Sequence, residues 1–449
     1  MNGPNLSRRV CGVNALLCFC LIALSAGAAN HYVEAGGTGD GSAWNNAYSD
    51  LPGGLVRGDT YYIGNGTYGW WLLNDAESGS SAISIKKATV ADHGTDTGWN
   101  ASYANPATLT PGTTFYRGFY NVLGSYATTP SDPTTYGFQY FSTNNQNTTE
   151  HFISIGPGGS TLSNLFFSCI SGTACTNDVE KMMVYEQTTT SHYNFGFTNI
   201  YESGFQAAFF LFGPQGTVID HCWMTNNSST SSHHGAVINI NAGTVGASAN
   251  ITIRYCMMTD SAGGCGVEGN DSGVDQFVCN GLYIYGNVFL NGTGGIGEVG
   301  TTTRAAWANV QCVNNTFGTG SAGWFGAATR DSSAYIRNSC TNIVVTNNVI
   351  WNMVATINDN TTSGIQHDYN YYAICTSVPT EGHSQVDSNN PFVNSTGLNF
   401  HLSGATQAGV TTPYNLDADG TIRGTDGNWD RGAYQPNATV APPSALHPL

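Results

Sequence analysis

The chain has 449 residues, of which only 9% are charged; 13 Lys and Arg stand against 29 Asp and Glu, for a formal net charge of −16. A surface of that sign repels nucleic acid and anionic membranes, which argues against both as partners. An anionic polymer is left with only a local cationic spot or a bound divalent metal to receive it. Gly, Asn, Ser and Thr take the place of charge.

Residues 1–29 read as a secretory signal peptide. Arg8 and Arg9 precede the apolar run "ALLCFCLIALSA", which ends in the small residues "AGAA", the order of charged, apolar and small segments that export requires. The run is too short and wrongly flanked for a membrane span, so a secreted monomer is expected. Beyond it lie nine cysteines, at 169, 175, 222, 256, 265, 279, 312, 340 and 375. In an oxidising compartment some are expected to pair, with at least one left free by the odd count. No C-x-x-C occurs among them, which argues against structural zinc.

Residues 30–150 are rich in aromatics (Trp70, Trp71, Trp99, Tyr103) and poor in clean repeats. They read as an N-terminal cap with the first coils. From residue 151 to 436 one phrase recurs: a short apolar strand, then Asn or Cys, then another apolar strand. "TLSNLFF", "FGFTNIY", "VIDHCWM", "IRYCMM", "YIYGNVF", "QCVNNTF" and "VVTNNVI" are its occurrences. Taking Asn164, Asn199, Cys222, Cys256, Asn287, Asn315 and Asn348 as one column, the anchor returns every 23–35 residues. A fixed anchor with loops of variable length predicts an all-β, single-stranded parallel β-helix, one repeat per coil. "AVININ" and "LYIYGNVF" show the period-2 alternation of strands. Stacked Asn side chains are expected to bond one another at a tight corner, and Cys222 above Cys256 to form a bridge or a stacked thiol pair. The run Asp220, His221, Cys222 imitates a nucleophile triad, but neighbours on a strand face opposite sides, so it is read as structural. Residues 437–449 are read as a flexible tail.

The segment "HYVEAGGTGDGSAWNNAYSDL", followed by "GDTYYIGNGTY", and the closing "NLDADGTIRGTDGNWDRGAYQ" resemble the two ends of exported bacterial right-handed parallel β-helix proteins of the pectate-lyase-like superfamily. The closing phrase also imitates a calcium loop at Asp417 and Asp419, but lacks the Glu an EF-hand needs at its twelfth position. The resemblance covers nearly the whole mature chain. It implies the fold and leaves the activity open, because the fold carries lyases, hydrolases, epimerases and adhesins.

The resemblance also implies a groove-lining sheet, into which "MMVYEQ", "AFFLFG", "AVININ", "GVEGND", "GIGEVG" and "GWFGAATR" should stack in that order. In this arrangement Arg304, ending "GTTTR", and Arg330, ending "GAATR", leave consecutive coils at equivalent points. Two guanidinium groups so close are best reconciled by a carboxylate or sulfate between them. Glu268, Asp271 and Asp275 offer the hard oxygens that Ca2+ prefers. Glu268 and Glu298, on successive coils, form a candidate glycosidase pair if they share a face. His234, beside His233, is a candidate base. Lys181 is read as a surface lysine, and His367 with Asp368 as structural. The leading expectation is a secreted lyase of a uronate-containing polysaccharide, with Ca2+ on the three carboxylates, Arg304 or Arg330 holding the uronate, and the neighbouring arginine or His234 taking its proton. An arginine in the role of base is implied by the resemblance alone. The rivals are a glycoside hydrolase using Glu268 and Glu298, and a non-catalytic glycan-binding or structural protein.

Overall fold

The computed structural model describes residues 27–110, 112–125, 133–141, 150–155, 158–168, 181–186, 192–205, 207–225, 236–241, 248–259, 265–270, 278–291, 294–299, 306–319, 341–357 and 365–436. Most of the segment expected to be a signal peptide, through residue 26, and the segment read as a tail, 437–449, lie outside them. The chain is a right-handed parallel β-helix. Among the described residues the helices are three short 3-10 turns, Trp44–Asn46, Ala101–Ala104 and Pro133–Thr135, and none is long and apolar enough to cross a membrane.

Each central coil has the same plan. A long strand such as Val278–Tyr285 leads through a two-residue corner, Gly286–Asn287, into a three-residue strand, Val288–Leu290. The third strand, here Gly294–Val299, belongs to a separate sheet. Successive coils pair in parallel and in register: Tyr285 lies beside Val313 and Val288 beside Thr316. Inward positions merge into one core that runs from Val33 to Tyr372 and includes Ile219, Ile253, Ile284, Cys312 and Val345, none of these five measurably exposed.

The corner explains the recurring Asn, with a correction to the column read from sequence. Its first residue adopts a left-handed backbone: His221, Tyr255, Gly286, Asn314, Asn347 and Tyr369 have φ between 50° and 67°. Asn and, less readily, His are found in that region, while Tyr enters it at a cost of about 1–2 kcal/mol. Gly286 has a further reason, since a Cβ there would lie 2.6 Å from the Tyr255 ring. The second corner residue turns inward and builds a buried ladder. Cys222 N–H meets Cys256 Sγ at 3.4 Å, and Cys256 N–H meets Asn287 Oδ1 at 2.9 Å. Asn287, Asn315 and Asn348 each donate Nδ2–H to the Oδ1 of the next member at 3.0–3.1 Å, ending on Asn370. Asn164 and Asn199 do not belong to this column. Register places them with His221 in the left-handed one, and Leu165 and Ile200 with Cys222; they form their own bond at 3.1 Å. Cys222 and Cys256 are a stacked pair of free thiols, and Cys279, Cys312 and Cys375 are also free, so for these five the expected pairing does not occur.

The ends are closed differently. Loop residues Tyr48, Leu51 and Leu55 pack on the first coils. Trp99 and Tyr103 lie instead on the flank, with Trp44, against the outer faces of Tyr32 and Tyr62. Buried Lys87 ties this flank down by donating to the carbonyls of Ile63, Ala88 and Tyr103; burial pulls its pKa down to about 7, against which three acceptors favour the ammonium form. After the last coil the chain doubles back along the corner. Asn347 Nδ2 bonds Val410 O at 2.6 Å, Asn314 reaches Tyr414 O at 3.3 Å, and His221 reaches Ala418 O at 3.3 Å. The closing phrase is the hardware of this strap. Arg431 donates to Asn370 O and Ala408 O, and Arg423 to Asp430 O and Ala433 O. Asp417 accepts from the N–H groups of Asp419, Thr421 and Gln435, so its oxygens are spent on backbone.

The ladder ends on a carboxylate. Glu381 accepts from Asn370 N and Nδ2, from Tyr372 Oη and from His367 Nδ1. Burial raises its pKa, but His367, Tyr372 and Asn370 together outweigh this and hold it below 4.5. A lowered carboxyl contributes stability above its unfolded pKa and loses it as pH falls through the folded value. Thermal stability should therefore weaken below about pH 4.5, and Glu381→Gln should flatten that limb, read as melting temperature against pH. Asn315→Ala, which takes the acceptor from the Asn287 N–H and Nδ2–H and a donor from Asn348 Oδ1, should cost about 2–4 kcal/mol in denaturant unfolding.

Candidate functional site

The third sheet positions the candidate site. In spatial order it contains Trp71–Leu73, Thr113–Phe115, Glu150–Ile155, Lys181–Glu186, Ala207–Phe212, Ile238–Asn241, Cys265–Asn270 and Gly294–Val299. The order expected from sequence holds for the five strands that are described; "GWFGAATR" lies outside the described residues. Alternation sends Ile153, Val184, Phe209, Ile238, Val267 and Ile296 into the core. The intervening positions form one outer row in register: Leu72, Thr114, Ser154, Tyr185, Phe210, Asn239, Glu268 and Gly297.

This row changes character along the axis. Tyr185 and Phe210 stack at 6.0 Å between ring centroids, and Phe212 meets Phe210 edge-on at 5.1 Å. Beyond them come Asn239 and Glu268, 1% and 2% exposed. Both amide atoms of Asn239 are buried without a hydrogen-bond partner among the described residues. An amide in that state costs about 1–3 kcal/mol, and a strand built for stability alone would carry an apolar residue there. Sequence reasoning passed over Asn239, Tyr185 and Phe210. The signal was available in "ININ", where polar residues alternate with core isoleucines.

Glu268 lies on the outer face, beside Asn239. Its proposed partner does not: register sets Glu268 beside Gly297, and Glu298 beside Gly269. Position 298 is thus one residue out of phase and falls on the opposite face of the sheet, which removes the paired-carboxylate geometry from the hydrolase reading. Arg304, Arg330, His234, Asp271 and Asp275 lie outside the described residues.

Other sequence candidates fall away from this face. Asp220 accepts from His221 Nδ1 at 2.6 Å and Arg254 Nη2 at 2.7 Å, while His221 Nε2 faces the strap. Burial raises the Asp220 pKa, but His221 and Arg254 together bring it below the usual carboxylate value. Cys222 points into the core, so the three residues form no nucleophile triad. His367 meets Glu381, and Asp368 meets His383 at 2.7 Å; both are structural contacts.

No protein-family model matches the chain, and no curated protein matches it. Among solved structures it is similar to a rhamnogalacturonan lyase at 12% identity and TM-score 0.46, covering 90% of this chain and 95% of that one. XylC in complex with xylose gives 10% identity and TM-score 0.47, over 92% and 98% of the two chains. Pectate lyase Pel9A gives 12% identity and TM-score 0.39, over 92% and 97%.

The partnerless amide yields a prediction that separates function from stability. Asn239→Val should leave the melting temperature unchanged or raise it, with a gain of about 1 kcal/mol or more in denaturant unfolding, while weakening binding of whatever occupies the row. A clear loss of stability would show that the amide serves the fold.

Proposed function

We propose that this is a secreted carbohydrate-active protein that binds a polysaccharide along the outer row, and that it acts as a Ca2+-assisted lyase on a uronate-containing chain. The observation that carries this reading is the row itself. A linear polymer parallel to the solenoid axis meets ring faces at Tyr185 and Phe210, then a buried, partnerless amide at Asn239, then a carboxylate at Glu268. Aromatic faces take the C–H side of sugar rings and the amide takes hydroxyls, the usual pairing of apolar wall and few fixed polar groups.

Among the described residues no three His, Cys, Asp or Glu form a metal cluster. Ca2+ takes six to eight oxygens. Glu268, with the neutral Oδ1 of Asn239 on the adjoining rung, would have to be joined by Asp271 and Asp275. The ion would neutralise a uronate carboxylate and acidify the proton beside it. In β-elimination a base takes that proton, its electron pair becomes a C=C bond, and the glycosidic oxygen departs and is protonated, with no water consumed. Arg304 or Arg330 would hold the carboxylate, leaving the other arginine or His234 as base. An arginine base needs a second cation nearby to release its proton.

The test is an ultraviolet assay for the unsaturated uronate product on a panel of acidic polysaccharides, with Ca2+ and with chelator. A Ca2+-dependent rise, lost in Arg304→Ala or Arg330→Ala, is the expected result. New reducing ends without absorbance would point to hydrolysis. Binding without either product would leave a glycan-binding solenoid.

A further inference from the structure

The same outer face carries a second feature, at the far end of the sheet from Glu268. Trp70, Leu72 and Tyr116 are 59%, 54% and 46% exposed. Single exposed apolar residues are ordinary, but an adjoining group marks a contact surface. Trp70 is held in place: its Nε1–H donates to Thr114 Oγ1 at 3.0 Å, and Thr114 is the register partner of Leu72. Tyr116 follows the Thr113–Phe115 strand, with its N–H on Leu73 O at 2.9 Å.

Arg117 comes next and is exposed. Among the described residues no hydrogen bond or ion pair engages it. Nearby Glu77 is committed to the Gly118 N–H at 2.9 Å. The other cations whose side chains are described are all in use. Arg57 donates to the carbonyls of Asp75, Ala76, Gly118 and Phe119. Lys86 pairs with Asp92, Arg254 with Asp220, and Lys87, Arg423 and Arg431 are buried on carbonyls. In a chain of net charge −16, an exposed guanidinium left unpaired, next in the chain to exposed Tyr116, is a local site for an anion with a flat apolar face.

We propose that Trp70, Tyr116 and Arg117 form an accessory subsite for one acidic sugar of a polysaccharide that lies along the outer row. The sugar ring stacks on the aromatics and its carboxylate meets Arg117. The proposal rests on the polysaccharide reading above and extends it. Six rung steps of ~4.8 Å separate Leu72 from Glu268, about 29 Å along the axis, so only a long glycan engages both places. Its second contact is then intramolecular and raises affinity without altering chemistry at Glu268.

The experiment is calorimetric titration of the mature protein with long polygalacturonate and alginate, with their trimers, and with a neutral β-glucan. Wild type, Trp70→Ala, Trp70→Phe and Arg117→Ala are compared. Losing one charge-assisted contact should weaken long acidic chains about 10-fold or more in Arg117→Ala. Trimer binding and any cleavage of trimers should be unchanged, and Trp70→Phe should retain most of what Trp70→Ala loses. Equal affinity for long acidic chains in all four proteins overturns the subsite while leaving the polysaccharide reading intact. An equal loss on the neutral glucan overturns its acidic character. If the wild type binds none of the acidic polymers, both the subsite and the uronate reading fall.

Discussion

Everything in this molecule depends on one constraint: successive coils hydrogen-bond in parallel and in register. Once Val278–Tyr285 lies beside Ala306–Val313 and that strand beside Thr341–Thr346, equivalent residues form columns about 4.8 Å apart. A column then has to suit itself. Inward columns are apolar, because a coil cannot bury its own side chains. Among the described residues a polar inward column is the Asn ladder, in which each amide gives and accepts along the stack and meets a neighbouring backbone carbonyl, as Asn315 does at Ile284 O. Such a ladder is sound only if both ends are satisfied. Thiols at Cys222 and Cys256 finish one end and Glu381 the other.

How much of this was legible follows from where a column leaves a repeated mark. The coil, its strands and the strand order of the third sheet were readable, since the anchor returns in each coil and apolar alternation is strong in "AVININ". The offset between Asn199 and Cys222 was not readable. Asn serves both the left-handed corner and the inward ladder, two adjacent positions with the same preferred residue. The phase of Glu298 was hidden for another reason. In "GGIGEV" only Ile296 marks the inward face, and glycine-rich strands specify register weakly. Arg304, Arg330 and His234 lie outside the described residues, so no register relates them to the columns.

The strap shows why scarcity of charge is a poor guide to function by itself. Arg423 and Arg431 are 3% and 1% exposed and satisfy carbonyls that a returning chain would otherwise bury unpaired. Arg57 and Arg254 do similar structural work on a loop and on Asp220. A rare cation in this chain is therefore more often a clamp for backbone than a contact for a ligand. The informative question is whether its donors are already used.

The same question can be asked of every outward position on the third sheet, and it divides the row. Packing fixes the inner columns, so their residues report on the fold. Outer positions are free of that demand, and a stable choice for them would be a β-branched residue, or a polar one reaching water or a partner. Asn239 does neither. It is buried, its amide is unused within the described chain, and it lies between an aromatic rung and a carboxylate rung. Local departure from the stable choice, set in a scaffold otherwise consistent at every level, is the signature expected of a binding surface. On this argument the outer row, rather than the fold it stands on, is where the chemistry of the protein is specified.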